Sequence, residues 1–159
     1  MSSVDARIEA LTRRVQALED ELAIHRLIVR YGLGVDVGDA DAAAAVFTED
    51  GVYDVDGPLL MRGRDDVRAM VRGPRHQAMV GSCAHQIGPA VVEVDGDRAR
   101  ATGYSRVYVR KDGGLELYRV SYNRWELERR GGEWLITRRT TRLLGHAEAA
   151  AIFTAALHR

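Results

Sequence analysis

The first 36 residues carry a helical pattern of hydrophobic positions. Apolar residues recur at alternating intervals of four and three, which is the heptad seam of a coiled coil: Val4, Ile8, Leu11, Val15, Leu18 and Leu22. From Ile24 to Val35 the apolar face widens, as in a helix that covers a sheet. We therefore predict one helix over residues 4 to about 36, loosened and ended by three glycines: Gly32, Gly34 and Gly38.

The heptad-patterned segment 4–22 has two interpretations. It is either a helical extension that packs on a neighbouring subunit, or a helix that lies on its own domain. The spacing leaves both open, and a self-association through this seam would fit a dimer as well as a trimer.

The middle of the chain alternates short elements with turns. Asp39 is a suitable cap for a helix over Ala40–Phe47, and Thr48–Gly51 has the composition of a turn. Beyond it the pattern predicts two short strands, a third helix and a loop, at Val52–Val55, Leu59–Met61, Gly63–Arg72 and Gly73–Gly81.

From Ser82 onward the hydrophobic period changes to two, which is typical of β-strands. The predicted strands are Ser82–Val94, Arg98–Arg110, Leu115–Arg129 and Trp134–Leu144, followed by a helix at Ala147–Leu157. Short connections that contain glycine join these strands, so we predict an antiparallel meander of hairpins. Helices followed by a meander indicate an α+β domain, in which the N-terminal helices close a curved antiparallel sheet.

Composition narrows the class of protein. A length of 159 residues predicts a single domain, spanning residues 1–159. The 23 basic residues balance the 23 acidic ones, so no overall field attracts nucleic acid or an anionic membrane. The single cysteine, Cys83, excludes an internal disulfide, and neither a membrane span nor a signal-peptide pattern is recognised. We expect a soluble, cytoplasmic protein with no nucleic-acid or membrane partner.

One histidine is a candidate for chemistry. His85 lies in a predicted strand on the same face as Cys83 and Ile87. A histidine there is often a satisfied core residue, but its second ring nitrogen needs a partner, and Asp36 at the end of the first helix is suitable. Such a pair is a general base that removes a proton beside a carbonyl or leaving group. The other histidines are interpreted as solvated or structural: His25, His76, His146 and His158.

No metal site or phosphate-binding loop is predicted. The histidines lack HxH and HExxH spacing, and Cys83 with His85 supplies too few ligands for a metal. The glycines at 113 and 114 join two strands and open no helix, so they do not form a phosphate loop.

Five segments carry a family resemblance: Tyr31–Asp36, Asp39–Asp41, Phe47–Gly51, Cys83–His85 and Gly132–Ile136. They resemble the SnoaL-like family of the nuclear transport factor 2-like superfamily. The resemblance implies a cone-shaped α+β barrel, a common trimeric state and activity without a metal or organic cofactor. Scytalone dehydratase, hexachlorocyclohexane dehydrochlorinase and bile acid 7α-dehydratase are enzymes of this kind, which eliminate water or HCl with a histidine oriented by an aspartate.

The resemblance also implies roles for four residues. His85 would be the catalytic base and Asp36 its orienting partner. Tyr31 occupies the position of a lysine or tyrosine that polarises a substrate oxygen or meets the leaving group. Arg139 occupies the position of an arginine that assists a departing anion.

Two details of the site stay open at this point. Strand alternation does not decide which of Arg138, Arg139 and Arg142 points inward. The strand after the base lacks the second acid of the dehydratases, so the proton for the leaving group would come from Tyr31, Tyr108 or His85 itself.

The favoured function is therefore a cofactor-independent lyase or isomerase that acts on a small, apolar, ring-bearing molecule. The aliphatic and aromatic residues expected around the pocket favour such a substrate: Leu33, Val55, Met61, Met70, Met79, Val107, Tyr118 and Trp125. Two alternatives belong to other classes. One is a binding or assembly domain without turnover, and the other is the small subunit of a ring-hydroxylating dioxygenase, since fold alone does not imply activity.

Overall fold

A computed structural model describes residues 3–157 as five helices and six strands. Four terminal residues lie outside the described residues: 1, 2, 158 and 159. The single-domain prediction includes all four, and the interpretation of His158 concerns one of them. The helices are α1 Ser3–Asp36, α2 Ala40–Ala45, α3 Gly63–Arg72, α4 Pro74–Gln77 and α5 Ala149–Leu157. The strands are β1 Phe47–Val55, β2 Leu59–Arg62, β3 Cys83–Asp95, β4 Arg98–Lys111, β5 Gly114–Arg130 and β6 Glu133–Leu143.

The six strands form one curved sheet in the order β2-β1-β6-β5-β4-β3. The predicted meander of β3 to β6 is present, because each of these strands pairs antiparallel with the next. The α+β class is therefore confirmed. Two details refine the prediction. The sheet is open and does not close into a barrel, and β1 pairs with β6 in parallel, so the sheet is mixed.

The core lies between this sheet and the C-terminal half of α1, together with α2 and α3. Its largest fully buried side chains include Trp125 on β5, Phe47 on β1 and Ile24 on α1. Irregular pairing bends the strands, for example between Ile87 and Ala90 on β3, and such bulges increase the local twist of a sheet. No helix among residues 3–157 is long and apolar enough to cross a bilayer.

The structure corrects three boundaries in the middle of the chain. The helix predicted to reach Phe47 ends at Ala45, because Phe47 is fully buried and pairs with Ile136. The predicted turn Thr48–Gly51 is a bulged part of β1, where the pairing shifts before it resumes between Val52 and Arg138. The predicted loop after residue 73 contains the short helix α4, which begins at Pro74, a residue suited to the first helical position.

Two glycines of α1 serve close packing rather than the predicted loosening of the helix. A Cβ on Gly32 would lie 3.0 Å from the backbone oxygen of His85, and one on Gly34 would lie 2.9 Å from the backbone nitrogen of Ala43. The helix continues through both positions to Asp36. Because the two glycines have no side chain, α1 packs closely against β3 at Gly32 and against α2 at Gly34.

Candidate active site

The end of α1 is built so that Asp36 faces β3. Gly38 has a φ of 73°, which favours glycine, and its backbone N–H donates to the oxygen of Val35 at 3.2 Å. The N–H of Asp39 donates to the oxygen of Gly34 at 2.9 Å, which completes a Schellman ending. Asp39 then caps α2 through its side chain, which accepts from the N–H of Ala42. The chain turns sharply after Asp36, and the carboxylate is left at the sheet edge.

Asp36 contacts His85 through both carboxylate oxygens. Its Oδ1 lies 2.5 Å from Nδ1 of the His85 ring, and its Oδ2 accepts the backbone N–H of His85 at 2.7 Å. The two side chains are 20% and 19% exposed, so the contact is largely shielded from water. Because a carboxylate only accepts, Nδ1 carries a proton, and in the neutral form of the ring the lone pair lies on Nε2. Within residues 3–157, no hydrogen bond to Nε2 of His85 is formed.

The contacts of Asp36 also set its protonation and that of its neighbour Cys83. Burial alone would raise the pKa of the Asp36 carboxyl, but hydrogen bonds from the ring and backbone of His85 outweigh burial and hold the pKa below its usual range. Burial and the nearby Asp36 charge raise the pKa of the Cys83 thiol to about 11. Asp36 is therefore an anion at neutral pH and Cys83 a protonated thiol, whose Sγ lies 3.6 Å from Asp36 Oδ1.

One group in the described part of the chain resembles a metal-ligand set. It consists of Asp36, Cys83 and His85, whose ligand atoms lie within 4.8 Å of one another. Their geometry does not suit a metal between them. A tetrahedral zinc ion would hold its nitrogen and oxygen ligands about 3.4 Å apart, whereas Nδ1 and Oδ1 are 2.5 Å apart. The high pKa of Cys83 opposes the thiolate form that binds metals.

A cavity of about 430 Å³ opens beside His85. Apolar side chains form much of its wall, and this volume is in the range of small-molecule sites. Six of the residues expected around the pocket line it: Val55, Met61, Met70, Met79, Val107 and Tyr118. Two do not, because Leu33 is exposed and Trp125 is buried in the core. An ion pair between Arg119 and Asp56, with atoms 2.7 Å apart, adds a polar patch to the wall.

Tyr31 lines the same cavity and belongs to a group of aromatic rings. Its ring meets those of Phe47 and Tyr53 edge-on, with centroids 5.9 Å away in each case. Burial raises the pKa of Tyr31 well above its usual range, Tyr53 raises it further, and Arg139 acts in the opposite direction. The Tyr31 hydroxyl is therefore a hydrogen-bond donor at neutral pH and does not ionise.

Of the three arginines on β6, Arg139 points toward the cavity side of the sheet. It is 3% exposed, and its guanidinium carbon lies 4.7 Å from the Tyr31 ring centre and 4.6 Å from that of Tyr53. It lies behind these rings and does not line the cavity, so it would not touch a departing anion directly as the resemblance implied. Arg138 and Arg142 pair with Asp54 on the other face.

A buried asparagine, which the sequence did not reveal as a site residue, holds Arg139 in place. Asn123 accepts hydrogen bonds from Nε and Nη2 of Arg139, at 3.1 and 2.9 Å, and from Thr141 at 2.7 Å. Its amide group donates to Ser105. Arg139 has no carboxylate partner among residues 3–157, and its buried Nη1 makes no hydrogen bond there. A polar residue on the core face of a predicted strand was the available signal for Asn123.

His76 is the second functional candidate that sequence analysis missed. Its ring lines the cavity, and its centre lies 6.5 Å from that of His85. The Nε2 of His76 donates to the backbone oxygen of Val35 at 2.7 Å, which leaves Nδ1 as the other ring nitrogen. Tyr108, considered earlier as an acid, does not line the cavity and donates to Gln86.

Comparison with known proteins places this architecture in a family. The model of the SnoaL-like domain matches residues 16–140. The chain belongs to the SnoaL-like family. A nuclear transport factor 2-like protein with a cystatin-like fold from Novosphingobium aromaticivorans is 41% identical, with a TM-score of 0.86 over 89% of this chain and 94% of the other. Among proteins with curated annotation, none matches this SnoaL-like sequence.

Two further solved structures are similar to this SnoaL-like domain. A second protein from Novosphingobium aromaticivorans, whose name assigns it provisionally to the aromatic ring hydroxylases, is 30% identical, with a TM-score of 0.65 over 80% of this chain and 90% of the other. A hexachlorocyclohexane dehydrochlorinase from Novosphingobium barchaimii is 20% identical, with a TM-score of 0.70 over 82% of this chain and 90% of the other. At that identity the second likeness shows the fold alone.

Proposed function

We propose that this SnoaL-like protein is a lyase or isomerase that removes a proton from a carbon of a small, apolar, ring-bearing substrate. The observation that carries the proposal is the Asp36–His85 contact at the wall of the cavity, with Nδ1 and Oδ1 2.5 Å apart. It commits Nδ1 to the carboxylate and presents the lone pair of Nε2 as a base.

The proposed reaction is a proton transfer followed by elimination or by movement of a double bond. The Nε2 of His85 takes a proton from a carbon beside a carbonyl or a leaving group. In an elimination, the electron pair of the broken C–H bond forms a carbon–carbon double bond while the bond to the leaving group breaks. In an isomerisation, it forms an enolate, and His85 returns the proton to another carbon. The anion of Asp36 stabilises the imidazolium that forms, because an opposite charge within hydrogen-bond distance favours the charged ring.

Tyr31 is the proposed donor to the oxygen or halide on which negative charge develops. Because its pKa is raised, the hydroxyl stays protonated at neutral pH and can donate a hydrogen bond to that atom. Arg139 is proposed as a positioning residue, since its guanidinium lies against the rings of Tyr31 and Tyr53 and does not line the cavity. Its uncompensated positive charge favours electron density on a substrate near Tyr31.

His76 is the proposed acid for the leaving group. It faces the cavity from α4, across from His85 on β3, and its Nε2 is held by the oxygen of Val35. In its protonated form the ring carries a second proton on Nδ1, which it transfers to a departing hydroxide. A departing chloride needs no such proton, so the contribution of His76 distinguishes dehydration from dehydrohalogenation.

The test uses substrate candidates on the wild-type protein and on variants. A panel of small cyclic ketones, alcohols and chlorides is screened by thermal shift, and compounds that bind are incubated in D₂O while proton exchange or elimination is followed by NMR. His85→Gln is expected to bind the same compounds and to lose about 10²–10⁴-fold in rate, since general base catalysis is worth that much. His146→Gln is the matched control, because this histidine lies just before α5 and does not line the cavity.

Two results would contradict the proposal. Turnover by His85→Gln at the wild-type rate would show that another group is the base. Binding that stabilises the wild type, without exchange or elimination of any compound, would favour a binding domain without turnover.

A second candidate function is supported by one of the similar structures. The protein named provisionally as an aromatic ring hydroxylase is 30% identical over 80% of this chain, which suggests the small subunit of a ring-hydroxylating dioxygenase. Such a subunit would bind a larger metal-containing partner. Co-expression with the candidate large subunit, followed by co-purification, would favour this function, whereas turnover by the isolated chain would favour the first.

A further inference from the structure

The outward face of α1 is an apolar surface that the domain leaves uncovered. We call the residues of this surface the α1 seam; it consists of Val4, Ile8, Leu11, Val15, Leu18 and Leu22. All six are between 49% and 66% exposed. The buried residues of α1 begin only at Asp20 and continue through Ile24 and Leu27. At 1.5 Å per residue, the part before Asp20 reaches about 25 Å beyond the domain.

The seam lies on the side of the helix opposite to the domain. Successive residues turn by about 100°, so Leu18 and Leu22 are half a turn away from Asp20 and Ile24, which pack on the domain. The same outward side continues along the domain through Val29 and Leu33, both exposed. A single apolar stripe therefore follows most of the helix, with charged residues on its flanks.

We propose that the α1 seam pairs with the same seam of a second copy of this chain as a parallel, two-stranded coiled coil. The core positions favour two strands. Alternating intervals of four and three place Ile8, Val15 and Leu22 at heptad position a, and Val4, Leu11 and Leu18 at position d. The two central heptads have β-branched Ile8 and Val15 at a with Leu11 and Leu18 at d, a combination characteristic of parallel dimers.

The charges beside the seam favour the parallel, in-register arrangement. In a parallel dimer each g residue faces the e residue five positions later in the partner. This pairs Arg14 with the partner's Glu19, and Glu21 with the partner's Arg26, both of opposite sign. Arg7 faces the partner's Thr12 without repulsion.

The antiparallel arrangement with the same core brings like charges together. When position a of one helix packs against position d of the other along the whole seam, Arg14 faces the partner's Arg14, and Asp5 faces the partner's Glu19. Arg7 gains the partner's Glu21 in this arrangement, but two like-charge contacts stand against that attraction. The parallel dimer contains neither of these repulsive contacts. Charge complementarity therefore selects the parallel dimer and places the two domains at the same end.

The oligomeric state of the full chain tests this arrangement by sedimentation equilibrium at several concentrations. The wild type is expected to be a dimer at micromolar to tens of micromolar concentration. The double variant Leu11→Glu/Leu18→Glu is expected to be a monomer, with the thermal unfolding of the domain retained because both side chains are exposed in one subunit. A wild-type monomer, a trimer, or a dimer that survives this substitution would overturn the proposal.

A charge exchange separates the two helix directions. Arg14→Glu puts a new carboxylate against the partner's Glu19 in the parallel dimer, and we expect the dissociation constant to rise several-fold. Adding Glu19→Arg restores opposite charges, so the double variant is expected to return near the wild-type value. In an antiparallel dimer Glu19→Arg alone would relieve repulsion from the partner's Asp5, and a tighter dimer for that single variant would exclude parallel pairing.

Discussion

At the scale of single residues, Asp36 influences the protonation of the Cys83 thiol. Burial, together with the charge and hydrogen bond of Asp36, raises the pKa of this thiol to about 11. In Asp36→Asn the negative charge is removed while burial remains, so we expect the thiol pKa to fall toward its ordinary value of about 8.5. The pH dependence of the rate of alkylation of Cys83 by iodoacetamide measures this pKa, and the rate near pH 8 should rise about tenfold for each unit of decrease.

The design of this measurement separates charge from accessibility. Cys83 is the single cysteine in the sequence, so the label reports one site. A more accessible thiol would raise the plateau rate at high pH, whereas a lower pKa moves the midpoint of the profile. Asp41→Asn, an exposed acid that pairs with Arg68, is the control and should leave the midpoint in place. An unmoved midpoint in Asp36→Asn would contradict the electrostatic coupling.

The residues of the site differ in how far the sequence could predict their positions. The pairing of Asp36 with His85 was accessible, because one lies at a helix end marked by glycines and the other on an alternating strand. His76 was not, and Asn123 offered only its polarity at a core-facing position, since the contacts of both arise from tertiary structure. His76 reaches the cavity because α4 folds against the end of α1, where its ring meets the oxygen of Val35.

At the scale of elements, Gly34 sets the distance between α1 and α2. A Cβ at this position would lie 2.9 Å from the backbone nitrogen of Ala43, and backbone cannot move aside as a flexible side chain does. Alanine gains about 1 kcal/mol of helix propensity over glycine, but overpacking costs about 1–3 kcal/mol. We expect Gly34→Ala to lower the free energy of unfolding in urea, measured by circular dichroism.

Arg30→Ala is the matched control for this helix. Arg30 is exposed on α1, and its replacement should change the free energy of unfolding by about 0.5 kcal/mol or less. If Gly34→Ala proves more stable than the wild type by the full propensity gain, then α1 and α2 are not held at the distance seen here.

The glycines also show why an element can be predicted while its packing cannot. The helical period of α1 is local information, and it correctly predicted one helix to position 36. Whether a glycine breaks a helix or permits close approach depends on what lies opposite, which is α2 at Gly34 and β3 at Gly32. The parallel pairing of β1 with β6 escaped prediction for the same reason, because the two strands lie far apart in the chain.

At the scale of the whole molecule, a buried carboxylate ties α1 to the hairpin between β5 and β6. Asp20 is 6% exposed. It accepts hydrogen bonds from the indole N–H of Trp134 at 3.1 Å and from the guanidinium of Arg129 at 2.8 Å. Burial would raise the pKa of Asp20, but the bonds from Arg129, Trp134 and Gln16 outweigh burial and lower it. Asp20 is thus the first buried residue of α1, and the part of the α1 seam that precedes it, from Val4 to Leu18, extends away from the domain.

The lowered pKa makes this tie dependent on pH. A carboxyl whose pKa is lower in the folded state contributes stability that is present above its unfolded value of about 3.9 and is lost as the pH falls through its folded value. Asp20→Asn removes both the bonds to the anion and this titration. We therefore expect the variant to be less stable at pH 7 by about 1–3 kcal/mol, and its free energy of unfolding to fall less steeply below about pH 4 than that of the wild type.

Urea unfolding at a series of pH values, followed by circular dichroism, measures both effects. Asp95→Asn, an exposed residue at the end of β3, is the control and should follow the wild-type curve. Asp36 and Asp54 also have lowered pKa values, so a residual acid-dependent loss is expected in every variant. Parallel curves for Asp20→Asn and the wild type below pH 4 would show that the carboxylate does not carry the acid sensitivity of this tie. The segment of α1 that follows Asp20 would then be held on the domain by its apolar contacts. Ile24 and Leu27, both buried, would be the first residues to test.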